Sequence, residues 1–225
     1  ERARAELTAE IKATALAHLA EHGAAGLSLR AVARDLGMAS SAVYRYFPSR
    51  DELLTALIID SYDRLGEAAE RADATASSAD FLERWLTLGR TVRGWALAHP
   101  HEYALLYGSP VPGYRAPQDT VPPATRVTAV LSAIVSDAVA AGALADGPPG
   151  SPPVPPRLAA DAARLRELIM PGLDDAAVLR CLLAWLALFG AVSFELFGHL
   201  HTVVTDHAET FDHQLRALAG YVGLG

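Results

Sequence analysis

The stretch Ser28–Arg50, SLRAVARDLGMASSAVYRYFPSR, constrains this chain more than any other. Leu29, Val32, Ala33 and Leu36 recur at three- and four-residue spacing, which gives one inward helix face, and Arg30 and Arg34 project from the other side. Ser28 stands where an N-cap hydroxyl accepts from an orphan N–H of the first turn. Gly37 breaks that helix and permits a sharp turn. A further helix is expected over 39–46, with Val43 and Phe47 inward and Ser40, Ser41, Tyr44 and Arg45 outward. Small hydroxyls at the leading end, then Tyr and Arg, enter a DNA major groove without a clash. There they meet base edges and phosphates.

Charge supports a local anion-binding face. Residues 1–50 hold seven Lys/Arg against five Asp/Glu, and the rest of the chain holds twelve against twenty-one. The net charge of −7 argues against a protein that coats nucleic acid along its whole surface. The single cysteine, Cys181, lies in an apolar run. It excludes an intramolecular disulfide and fits a buried, inert thiol in a reducing compartment. The first residues are charged and amphipathic, unlike a signal peptide. The apolar run between Arg180 and Glu195 is shorter than a membrane span needs. A soluble, cytoplasmic protein without a membrane partner is expected.

The pattern along the chain is all-α, with no segment of strand period. A helix over 4–22 places Leu7, Ile11, Ala15 and Leu19 on one face and ends at Gly23. Ser49 and Glu52 match a capping box for a helix running to about Ala72, and Arg50 at its start suits a phosphate. Residues 73–79 are the expected linker. A helix over 80–99 carries Phe81, Trp85, Leu88, Val92 and Trp95, and a short one over 101–107 carries Tyr103 and Tyr107. Helices at 123–141 and 157–170 flank a proline-rich loop at 146–156, which serves as a linker or a partner motif. The helix at 175–200 is apolar on every side, so part of it is expected to face a second subunit. The last helix, 206–222, starts at a cap pair, Asp206 and Glu209.

Residues 28–54, SLRAVARDLGMASSAVYRYFPSRDELL, resemble the N-terminal signature of the TetR/AcrR family of bacterial transcriptional repressors. The matching features are the hydroxyl cap, Val32-Ala33, Gly37, the run from Val43 to Phe47, and the small residue, basic residue and D-E-L-L that follow. Position 46 is Tyr where His is common, and position 50 is Arg where Lys is common; both keep a donor or the charge. The ELFGHL near residue 195, with the two-tryptophan helix, is similar to a subgroup with a WHG-type C-terminal domain. The resemblance implies a three-helix helix-turn-helix head over 1–50, joined by a linking helix to a ligand-binding and dimerisation domain over 51–225. It implies a homodimer, paired through 175–200 and 206–222, on palindromic double-stranded operator DNA. It also implies a small-molecule effector that releases the DNA. Carried over by position, Ser40, Ser41, Tyr44 and Arg45 face bases, and Ser28, Arg30, Ala42 (through its backbone), Tyr46 and Arg50 face phosphates.

Trp85, Leu88, Val92, Trp95, Tyr103, Tyr107, Phe189 and Phe194 either line an effector cavity or form plain core. An apolar pocket between helices suits a hydrophobic ligand. Tyr114 and Arg115 gate that pocket or sit in a solvated loop. Glu195, an acid within the most apolar helix, needs a partner: a ligand cation, a residue across the subunit interface, or a hydrogen-bond network. The eight histidines lack acidic or cysteine partners at ligand spacing, so no metal site is expected. No cofactor is implied, and no catalytic motif points to an enzyme. The competing readings are a helical dimer in which 28–50 merely pack, and an enzyme using the C-terminal cavity.

Overall fold

The computed structural model describes residues 2–149 and 151–225. Its described residues form helices and no strands. In order these are α1 (Arg2–His22), a 3-10 turn (Ala24–Gly26), α2 (Leu29–Asp35), α3 (Ser40–Val43), α4 (Arg50–Asp73), α5 (Phe81–Ala98) and α6 (Pro100–Tyr107). A second 3-10 turn (Gln118–Thr120) leads to α7 (Val121–Ala124), α8 (Arg126–Ala140), α9 (Pro156–Ile169), α10 (Asp175–Leu196) and α11 (His207–Val222).

The chain divides into two compact units. One comprises Glu1–Arg64 with His99–Ala124, the other Leu65–Ala98 with Thr125–Gly225. The cuts fall within α4 and on either side of the 99–124 segment. The expected linker at 73–79 therefore lies inside the second unit. Arg84 explains this, because its guanidinium holds Asp73 at 2.8 and 3.0 Å and reaches Ser78 O at 3.5 Å.

In the first unit Ile11, Ala15 and Leu19 of α1 meet Leu29, Val32 and Ala33 of α2, Val43 and Phe47, and Leu53, Leu54 and Leu57 of α4. Of the expected faces, Ile11, Ala15 and Leu19 of α1 and Leu29, Val32 and Ala33 of α2 are buried, while Leu7 and Leu36 at their ends are partly buried. Gly37 adopts φ 64°, a left-handed conformation that a side chain disfavours, and so turns the chain between α2 and α3. The loop after α6 also joins this core. Tyr114 packs against it, and its hydroxyl lies 2.8 Å from Thr55 Oγ1 on α4. Tyr114 is thus a tether to α4, where a gate or a solvated loop residue was expected.

Several expected boundaries move for local reasons. The helix expected over 39–46 is a single α-turn, Ser40–Val43. Beyond it Arg45 N–H bonds Ala42 O and Tyr46 N–H bonds Val43 O, the tighter three-residue pattern. Pro48 then disfavours helical geometry at Phe47. The helix expected at 123–141 breaks at Thr125, because Pro122 and Pro123 fit only the first turn of the short α7. The helix expected to reach 200 ends at Leu196, where Gly198 N–H folds back to Glu195 O at 3.1 Å.

In the second unit α5 packs against α8, α10 and α11, and α10 also contacts α9 and α11. Asp80, Asp174 and Asp206 each cap the helix they precede, accepting from Glu83, Ala177 and Glu209 N–H at 2.7–2.9 Å. Gly89 of α5 leaves room for the Leu215 side chain of α11, which a Cβ would strike. α10 is long and apolar enough, by length and composition alone, to cross a membrane. It is not buried all round in the single chain. Leu183, Leu186, Phe194 and Phe197 are 49%, 52%, 55% and 43% exposed and form one stripe, opposite Val178, Cys181, Leu188 and Val192.

Candidate nucleic-acid interface

The outward edge of α3 is small, polar and cationic. Ser41, Tyr44 and Arg45 are exposed, Ser40 and Ala42 half-buried, and Val43 fully buried beneath them. That single anchor orients the others, since a helix this short has one inward position per turn. The guanidinium groups of Arg45, and of Arg30 on α2, have no hydrogen-bond or ion-pair partner among the described residues. Two unpaired surface guanidinium groups beside small hydroxyls are what a phosphate backbone requires.

The supporting residues differ in part from expectation. Ser28 is extended (φ −137°, ψ 120°) and its carbonyl accepts from Val32 N–H at 3.0 Å, but its hydroxyl does not cap α2. Ser49 does cap α4, its Oγ accepting from Glu52 N–H at 3.1 Å. Arg50 is committed within the head. Its Nε donates to Leu27 O at 3.1 Å and its Nη2 to Ala24 O at 2.8 Å and Ala25 O at 3.3 Å. It therefore braces the turn between α1 and α2 against the start of α4, a strut that the motif alone does not reveal. The Tyr46 ring is covered by Arg4, whose guanidinium carbon lies 5.6 Å from its centroid.

Three polar ties hold the rest of the first unit. Lys12 on α1 bonds both carboxylate oxygens of Asp60 on α4 at 2.9 and 2.8 Å. His18 Nε2 and Asp35 Oδ2 lie 2.6 Å apart, and this hydrogen bond holds the Asp35 carboxyl below the usual aspartate range. The buried Glu102 of α6 accepts from Ser61 Oγ at 3.0 Å and from Arg64 Nη2 on α4. His99 Nδ1 lies 3.5 Å from its other oxygen.

The residues considered for an effector cavity fall in both units. Trp85, Leu88, Val92 and Trp95 on α5 and Phe189 and Phe194 on α10 belong to the second, Tyr103 and Tyr107 on α6 to the first. Trp85 is buried, and its indole donates to Leu215 O at 2.8 Å. The Tyr103 and Tyr107 ring centroids are 4.9 Å apart, and Tyr62 stands edge-on to Tyr107 at 6.0 Å. Burial raises the Tyr107 phenol far above its ordinary value. Phe194 borders a surface groove between α10 and α11, lined also by Ala187, Gly190, Ala191 and Leu218. A separate apolar cavity of about 180 Å³ lies among α8, α9 and α10. Phe189 packs against Trp185 of its wall, at a ring separation of 5.0 Å. Glu195 has a partner in its own chain: Arg93 of α5 holds both its oxygens, at 2.7 and 2.6 Å. Cys181 is buried, and burial pushes its thiol up to about 12. Among the described residues no three His, Cys, Asp or Glu cluster to hold a metal.

Comparison with known proteins decides the family. Residues 11–57 match "Bacterial regulatory proteins, tetR family", and residues 85–218 match "Tetracyclin repressor-like, C-terminal domain". The chain belongs to the TetR family of transcriptional regulators. It is similar to the HTH-type transcriptional regulators Rv1816 of Mycobacterium tuberculosis and Mb1846 of Mycobacterium bovis. Each is 44% identical over 220 residues, spanning 96% of this chain and 92% of the relative. The crystal structure of the regulatory protein SCO4313 is 37% identical, covers 98% of both chains and superposes with a TM-score of 0.77. This TetR-family chain is a regulator with a helix-turn-helix head, not an enzyme. Regulators of the family bind DNA and small-molecule effectors and act as dimers.

Proposed function

We propose that this chain is a ligand-responsive, sequence-specific repressor that reads a palindromic operator as a homodimer and is released by a small hydrophobic molecule. The observation that carries the reading is the outward edge of α3, whose Tyr44 and Arg45 stand exposed above a buried Val43. In this reading residues 1–50 form the DNA-binding domain. Ser40, Ser41, Tyr44 and Arg45 meet bases. Ser28, Arg30, Tyr46 and the Ala42 backbone meet phosphates, and Arg50 braces the edge from behind. Residues 51–225 sense the effector and dimerise. The exposed stripe of Leu183, Leu186, Phe194 and Phe197 on α10, with α11 beside it, supports pairing with a second copy. The aromatic residues of α5 and α10 support the effector pocket within the second unit. Such a regulator works in the cytoplasm.

Release needs only an effector that favours the DNA-incompetent state. α4 runs without interruption from Arg50 to Asp73, from the capped end beside the reading head into the second unit. A shift of α4 changes the separation of two reading helices, which must match one DNA turn of about 34–36 Å. A duplex selected from a random pool by the protein tests the reading by fluorescence anisotropy. Tyr44→Ala and Arg45→Ala are each expected to weaken binding about tenfold or more, since a good base-edge contact is worth about 1–3 kcal/mol. Undiminished binding by the double variant rules out α3 as the reader.

A further inference from the structure

The cavity among α8, α9 and α10 has a chemistry of its own. Its wall includes Leu165 and Ile169 of α9 and Val178, Cys181 and Leu182 of α10, with no acidic or basic side chain. Two further wall residues carry hydrogen-bonding groups, Thr128 of α8 and Trp185 of α10. The Trp185 indole N–H is buried without a partner, the one unsatisfied buried donor carried by a wall residue among those described. The Thr128 hydroxyl has no partner among the described residues. Unmade buried hydrogen bonds are rare in folded proteins, and a bound molecule is one recognised way of completing them.

We infer that this cavity is the effector site of the regulator and takes an uncharged molecule of about one substituted ring, apolar except for one hydrogen-bonding oxygen. The inference rests on the effector-released reading above. Size supports it, because the volume is about 180 Å³ and an apolar cavity of roughly 150 Å³ takes benzene. Charge supports it as well, because no acidic or basic side chain lines the wall to pair with an ion that has lost its hydration. The Cys181 thiol stays protonated in its buried position and supplies none. Arg166, next to Leu165 in sequence, is paired with Asp175 at 2.7 Å. Arg180 precedes Cys181, about 100° around the helix, and its guanidinium lies against Gly147.

Isothermal titration of the full-length protein with acetophenone, ethylbenzene and benzoate tests the assignment. Acetophenone is expected to bind saturably, ethylbenzene about two- to tenfold more weakly for want of one hydrogen bond, and benzoate not at all. The Trp185→Phe, Thr128→Val double variant is expected to bind the two neutral probes equally. Val178→Phe, which fills the cavity, is expected to abolish both. Four results overturn the assignment: no binding of either neutral probe, benzoate binding as tight as acetophenone (an anion held by Arg180), an unchanged acetophenone preference in the double variant, or full binding by a folded Val178→Phe. The double variant keeps the test decisive if Val178→Phe does not fold. Operator affinity measured with acetophenone present separates the two readings. Binding without operator release contradicts the effector-released repressor and leaves the site standing. Failure to bind by a protein that still holds its operator removes the site alone.

Discussion

The second unit and the reading edge of the first use arginine in opposite ways. In the second unit Arg84, Arg90, Arg93, Arg126 and Arg166 each hold a carboxylate at 3.0 Å or less. In the first unit Arg30 and Arg45 stand in solvent on the reading edge with no such partner among the described residues. A paired guanidinium fixes one helix against another, whereas an unpaired one is left for a polyanion. The uneven charge of the chain has this meaning: the acidic excess of residues 51–225 includes the carboxylates that position α5, α8, α10 and α11, and the small basic excess of residues 1–50 stays available.

The largest effect expected from this contrast is at Arg84. Arg84→Ala leaves the Asp73 and Asp137 carboxylates without their shared partner. Breaking a buried pair costs about 3–5 kcal/mol. Since Asp137 is more than half exposed, a loss of about 3 kcal/mol in urea denaturation is expected. A loss under about 0.5 kcal/mol breaks the idea that ion pairs position this unit. Next in size, Leu186→Asp with Phe194→Asp is expected to weaken self-association about thirtyfold, because central interface residues are worth more than about 1 kcal/mol each. Sedimentation equilibrium reads the shift to monomer. An unchanged dimer means that another face pairs. Smaller still, Arg30→Ala and Arg45→Ala are expected to leave stability within about 0.5 kcal/mol of the parent, as unpartnered surface residues do. A larger loss gives these two residues a structural role and erases the contrast.

The smallest effect is the pH dependence. Glu70 is held below its ordinary range by Arg126, and Asp212 by Arg90, in each case chiefly through the side-chain hydrogen bond. A carboxyl lowered in the folded state contributes stability that is present above its unfolded value. That contribution is lost as pH falls below about 4 and through the lowered folded value. Urea midpoints should fall slightly more between pH 5 and pH 3 for the parent than for Arg90→Met. Equal falls would mean that the Arg90 pair does not stabilise the fold.

The same contrast decides what the sequence reveals. The head is specified by local devices. These include the i, i+3, i+4 faces of α1 and α2, the turn at Gly37 and the cap at Ser49, and each lies within a few residues of what it controls. The caps at Asp80 and Asp206 are legible for the same reason. What escapes a reading of the sequence is every pairing between distant segments. Glu195 finds Arg93 across 102 residues, Trp85 finds Leu215 across 130, and Tyr114 finds Thr55 across 59. Arg50 shows the limit within the motif itself. Its position and charge are evident, but its attachment to the carbonyls of Ala24, Ala25 and Leu27 depends on how α1 and α4 pack. The cavity is hidden likewise. Leu165 and Leu182 both read as apolar helix faces, and only the packing of α9 on α10 leaves a space between them.

The central claim is that the unpaired arginines of the first unit bind DNA, Arg45 at base edges and Arg30 at a phosphate. The direct measurement is the slope of log K against log salt concentration for the selected duplex, with the parent protein, Arg30→Ala and Arg45→Ala. Releasing counterions makes binding steeply salt-dependent. Both substitutions are expected to weaken binding, and Arg30→Ala, which removes the phosphate contact, to reduce the slope by about one. A parent protein whose duplex binding does not respond to salt, or an Arg30→Ala variant whose slope equals the parent's, would contradict it.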